Sequence, residues 1–230
     1  MTQLPSTSVL AKMEAQVNTW KENQDKRHVF LNCYRLMTQN MHNALADTAF
    51  LDANWVHILL ERFADYYFIA LEQYENKQTA PLVWADTHTS AQHRSLNVYQ
   101  LLLTGVNSHI NYDLVLVLVE LLEDEWQGLT EEEKELRYRD YAKVNEVIAA
   151  TIDKVQDEVI ELENPLYDWL DKLMGRTDEW LVSQLINAWR EEVWQDAVTI
   201  LSANHTEEKI QYINKVTEKV LRRNAKMLWL

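Results

Sequence analysis

Residues Asn97–Glu123 read NVYQLLLTGVNSHINYDLVLVLVELLE, a stretch that would be apolar on nearly every side of a helix. That pattern belongs to a helix enclosed by others rather than to one lying on a surface. In its middle stand Asn107, Ser108, His109, Asn111 and Asp113. An enclosed helix cannot leave such groups unpaired, because each unsatisfied buried polar group costs about 1–3 kcal/mol and a lone charge more. Other side chains, water, a metal or a ligand must answer them. The stretch therefore marks both the centre of the fold and the place to look for chemistry.

The surrounding composition favours helices. Among 230 residues there are only three Gly and three Pro, while good helix formers are plentiful. A chain of this length can bury one sizeable core, and neither an internal repeat nor a linker divides it, so residues 1–230 are expected to form one domain. Nine Trp and ten Tyr supply bulky rings that fill gaps between helices or line a pocket for an apolar ligand. The net charge of −14 argues against capture of nucleic acid or of an anionic membrane surface. Cys33 is the only cysteine, which points to a reducing, cytoplasmic setting and, beside Phe30, Tyr34 and Met37, to a buried small hydrophobe. The start of the chain lacks the basic and apolar regions of a secretion signal. The longest uninterrupted apolar run, Leu114–Val119, is too short to span a bilayer.

Outward from the central stretch, apolar residues recur at helical spacing. Leu10, Met13, Val17 and Trp20 predict a helix from Ser8 to about Asn23, after a flexible start at 1–7. Phe30, Tyr34, Met37, Met41 and Leu45 predict another over His28–Ala46. Asp52 is placed to cap a helix running to about Gln78 with Trp55, Leu59, Phe63, Tyr66 and Ala70 inward. Residues 79–94 show no sustained period and read as a long loop or lid. The central helix is expected to stop near Gln127-Gly128. Thr130, three residues before Glu133, forms a capping box for a helix reaching about Glu163. Pro165 opens a short helix ending at Gly175, a further helix runs from Thr177 to about Asn204, and Thr206 caps the last one. The expected architecture is an all-α, single-domain bundle of about seven to eight helices around a buried central one.

His109 and Asp113 lie one helical turn apart, as do Asn107 and Asn111. His109 could serve as a base or metal ligand with Asp113 orienting it or acting as a second ligand, which would admit a divalent metal. Equally, the two could simply satisfy one another in a helical core. Tyr34 and Thr38 fall on the inward side of their helix, and Asn145 shares a side with Tyr141 and Ile148. Arg190 falls in line with Ile186, Val193 and Ala197. A buried Arg190 requires an anion: either Asp113, as an internal ion pair, or a carboxylate or phosphate of a ligand. His88 and His93, in the expected loop, and His28, His57 and His205 read as surface residues. No GxxxxGKS/T, GxGxxG, GxSxG, HExxH or CxxC occurs, so phosphate-loop, dinucleotide, serine-hydrolase and zincin chemistries have no support.

GVNSHINYDL at Gly105–Leu114 resembles the signature, approximately GxNxHINxDL, of an uncharacterised, mostly bacterial family of unknown function, family 5995. FLNCYRLMT at Phe30–Thr38, FLDANWVHILLERFADYYFIAL at Phe50–Leu71, PLVW at Pro81–Trp84, RYRDYAKVNEVI at Arg137–Ile148 and AWREEVWQDA at Ala188–Ala197 fall in the same order. The resemblance implies one helical domain and singles out Asn107, His109, Asn111, Asp113, Asp140, Tyr141, Asn145, Arg190 and Trp194. It implies no activity. Asp65 departs from the amide more usual at its place. A weaker likeness, to the HxxxD helix of zinc-dependent phospholipase C, fails because Leu114–Leu122 contains no further histidine.

Two functions are compatible with these residues. One is an enzyme in which His109, Asp113 and Arg190 are catalytic and Tyr34, Thr38, Asn107, Asn111, Asn145 and Trp194 hold a small amphipathic substrate. The other is a non-catalytic module for a ligand or protein partner, in which the polar cluster is structural.

Overall fold

The structure, a computed structural model, describes residues 6–46, 50–155 and 177–229. Among them are eight helices and no strand: α1 (Ser6–Glu22), α2 (His28–Ala46), α3 (Ala53–Glu75), α4 (Leu82–His93), α5 (Val98–Leu122), α6 (Glu131–Val155), α7 (Thr177–Ser202) and α8 (Thr206–Met227). The short helix expected at 165–175, the far end of the helix expected to reach Glu163 and the first five residues lie outside the described residues.

Helix α5 is the axis of the bundle and packs against α2, α3, α4, α7 and α8, while α6 closes the side between α2 and α7. Its apolar residues join one core with α3, α6, α7 and α8 through Leu114, Val115, Val117 and Leu118, each at most 1% exposed. By length and composition α5 could cross a membrane, but 67% of that window is buried inside the fold. Its start carries a capping box: the Asn97 side chain accepts from Gln100 N, and the Gln100 side chain accepts from Asn97 N. It stops at Leu122 and passes into turns over 123–128, a turn earlier than the Gly128 stop signal suggests.

Other sequence signals act locally as their chemistry requires. The Asp52 side chain accepts from Trp55 N at the start of α3, and Thr130 and Glu133 form the capping box of α6. The turn before α3 has a further anchor: Asp140 on α6, 3% exposed, accepts from the backbone N–H of Leu51 and of Asp52, both at 2.7 Å. Residues 79–94 are not a loop, because Leu82–His93 forms α4.

Gly105 allows α5 and α2 to touch. A Cβ there would stand 2.7 Å from the Phe30 Cβ and 2.5 Å from its Cδ2, so the two backbones reach this separation only with glycine.

Candidate functional site

Residues His109–Asp113 form a π-helical turn inside α5, with Leu114 N bonded to His109 O. Such turns are rare and frequently interrupt α-helices at functional sites. This one redistributes the polar residues of the helix between two neighbours.

Asn107 and Asn111 face α8. Asn111 Nδ2 donates to Asn107 Oδ1 at 3.0 Å, Asn107 Nδ2 donates to Asn224 Oδ1 and Val220 O, and Arg223 donates to Asn111 Oδ1. Asn224 donates in turn to Thr87 and Ser108, and those two hydroxyls lie 2.7 Å apart. This network joins α4, α5 and α8 and answers Asn107, Ser108 and Asn111 from within the protein.

His109 and Asp113 face the other way. His109 Nδ1 lies 2.8 Å from Asp113 Oδ2, and the Trp84 indole N–H donates to both Asp113 oxygens at 2.9 and 3.0 Å. His109 is 3% and Asp113 1% exposed. Burial pushes the His109 imidazole well below its ordinary pKa. Burial pushes the Asp113 carboxyl well up, and the Trp84 N–H opposes that rise. The imidazole is therefore neutral, and donation from Trp84 to both oxygens favours a carboxylate that accepts from Nδ1. With Asp113 as that carboxylate, the ring proton sits on Nδ1 and Nε2 keeps its lone pair. Nε2 is buried and has no hydrogen-bond partner among the described residues.

Aromatic rings hold the imidazole in place. Phe63 stacks on it at 3.6 Å between centroids and 7° between planes, and Tyr34 meets it edge-on at 4.2 Å. Beside this ring lies a cavity of about 110 Å³ between α2, α3, α5, α6 and α7, lined by Tyr34, Thr38, Phe63, His109, Ile148 and Arg190, among others. Its walls are almost wholly apolar. Cys33 also contributes to the lining, but burial pushes its thiol up to about 12, so it is no nucleophile at neutral pH.

Arg190 stands across α6 and does not pair with Asp113. Its Nε donates to Asn145 Oδ1 at 2.6 Å and its Nη2 to Tyr141 O at 2.7 Å, with the guanidinium 4.3 Å from the centre of the Tyr141 ring. Thus Tyr34, Thr38, His109 and Arg190 share one cavity, with Asp113 behind His109 and Asn145 behind Arg190. Asn107 and Asn111 serve the α8 face instead. Trp194 packs against Trp126, Tyr138 and Tyr141 and does not line the cavity. Trp84, Phe63 and Asn224 are not among the site residues expected from the sequence. Phe63 is legible as core from its helical spacing, but Trp84 falls in the stretch expected to be a loop, and nothing in the sequence pairs it with Asp113.

His88 and His28 are buried, at 3% and 8% exposed, not at the surface. Burial pushes His88 down to about 3, so below about pH 6.5 the unfolded chain binds a proton there that the folded chain refuses. Stability is then lost as pH falls. Between pH 7.5 and pH 5, His88 accounts for about 2 kcal/mol of that loss, and His109 adds to it in the same direction. His88→Gln is expected to lose about 2 kcal/mol less than wild type over this interval in urea unfolding; equal losses in both proteins would refute a neutral buried His88.

An all-helical bundle with a buried Asp–His pair beside an apolar cavity is the class that fold and site define. Residues 6–229 match the Family of unknown function (DUF5995), and the chain belongs to that family. No curated protein and no solved structure matches it.

Proposed function

We propose that the protein takes a small, largely apolar molecule into the cavity beside His109 and acts on it with His109 Nε2 as general base, Asp113 fixing the tautomer. The observation that carries this reading is the Nε2 of a buried imidazole, in the wall of an apolar space, with no hydrogen-bond partner among the described residues. A protein atom in that position costs about 1–3 kcal/mol unless something else donates to it, and a neutral, oriented imidazole is suited to accept a proton from a bound hydroxyl or N–H. A metal-assisted version would rest on Nε2 alone. Both Asp113 oxygens are engaged, and no group of three or more His, Cys, Asp or Glu among the described residues could hold an ion.

The almost wholly apolar lining of the cavity favours a second reading, in which His109 is only a hydrogen-bond acceptor for a bound ligand. Both readings predict binding, and they differ in turnover. In 15N NMR of the imidazoles, His109 Nε2 is expected to show the unprotonated form and to shift on addition of hexan-1-ol. A protonated Nε2 that ignores the alcohol would sink the proposal. Loss of turnover in His109→Gln with retained binding, once a substrate is found, separates the enzyme from the binding module.

A further inference from the structure

The cavity has a second polar end whose charge no carboxylate among the described residues answers. Arg27 pairs with Asp25 and Glu75, Arg62 with Asp65 and Glu120, Arg137 with Asp52 and Glu125, and Arg223 with Glu192. Arg190 is only 4% exposed, yet no carboxylate pairs with it among the described residues. Its acceptors, Asn145 Oδ1 and Tyr141 O, are both neutral. Among the described residues these bonds engage two of the five N–H donors that a guanidinium carries. A buried cation in this state is costly unless an anion joins it.

We propose that Arg190 is the head-group end of the cavity and takes the carboxylate of an acid with an apolar body of about four to five carbons. This rests on the reading of the cavity given above and adds the chemical class of its occupant. The size follows from the volume: about 110 Å³ compares with the roughly 150 Å³ that takes up benzene in an apolar cavity. The charge follows from the lining, where one guanidinium amid apolar walls matches a single carboxylate fork, whereas a phosphate dianion needs more donors than the walls offer. Orientation follows from electrostatics. Asp113 lies directly behind His109, so an anion is repelled from that end and the apolar body, or a hydroxyl on it, is directed there.

Isothermal titration with hexanoate and with hexan-1-ol, in wild type and in Arg190→Met, tests the assignment. Hexanoate is expected to bind wild type more tightly than hexan-1-ol and to weaken roughly 10- to 100-fold in Arg190→Met, with hexan-1-ol unaffected. Because wild type alone already compares acid with alcohol, the result stands even where Arg190→Met does not fold. Hexan-1-ol binding as tightly as hexanoate would overturn the head-group assignment and leave the His109 cavity intact. Binding of neither would overturn both.

Discussion

Replacing Asp140 by alanine is expected to lower the unfolding free energy by about 3–6 kcal/mol, the effect of removing two charge-assisted hydrogen bonds of about 1.5–3 kcal/mol each. Asp140 is held on α6 but serves the chain just before α3, where it accepts from two successive backbone N–H groups. Among the described residues no other acceptor is bonded to the Leu51 and Asp52 N–H groups. Asp52 in turn caps α3 through Trp55 N and pairs with Arg137, so a slip at this turn loosens the start of the helix that carries Phe63. Asparagine at position 140 keeps one accepting oxygen and is expected to lose about half as much. Urea unfolding of both variants checks this, and a loss under about 1 kcal/mol for alanine would show that the turn is held by other contacts.

Gly105→Ala is expected to cost about 2–3 kcal/mol, against the usual direction for a helix interior, where alanine gains about 1 kcal/mol over glycine. The added methyl collides with Phe30, and forced overpacking in a filled core outweighs the gain in helix propensity. Part of the collision is with the Phe30 Cβ, 2.7 Å away, which every residue but glycine possesses. Phe30→Ala therefore leaves a clash, and the double variant should be no more stable than either single change. If trimming Phe30 restores stability, the conflict lies in the ring and not in the approach of the two helices. Since Phe30 and Tyr34 also stand against His109, moving α2 is felt at the imidazole.

Much of the framework is legible in the chain because long helices advertise themselves by period and by end chemistry. The α2 stripe from Phe30 to Met41 locates that helix to the residue, and Asp52 and Thr130 mark their helix starts. Helix α4 escapes for a physical reason. Its buried side includes Thr87, His88 and Ser90 as well as Val83 and Trp84, so the contrast on which periodicity depends is erased. The polar cluster of α5 is visible, but its division is not. Asn107 with Asn111 and His109 with Asp113 have the same spacing, and only the neighbours of each face show that one pair docks α8 while the other borders a cavity. The choice between an Arg190–Asp113 ion pair and a ligand-facing arginine likewise depends on which side of α5 each group occupies. The sequence alone leaves both open.

The π turn at His109–Asp113 amounts to one residue more than an α-helix of the same rise would use. An α-helix advances about 100° per residue, so the extra residue rotates everything after Asp113 relative to everything before it. The first half, with Gly105 and Asn107, is thereby set against α2 and α8, while Val115 and Leu118 in the second half are set within the main core. Helix α5 is thus a splice between two differently oriented packing surfaces, with the Asp–His pair at the joint. Deleting a residue to restore regular helix would leave both halves intact and put one of them out of phase with its neighbours.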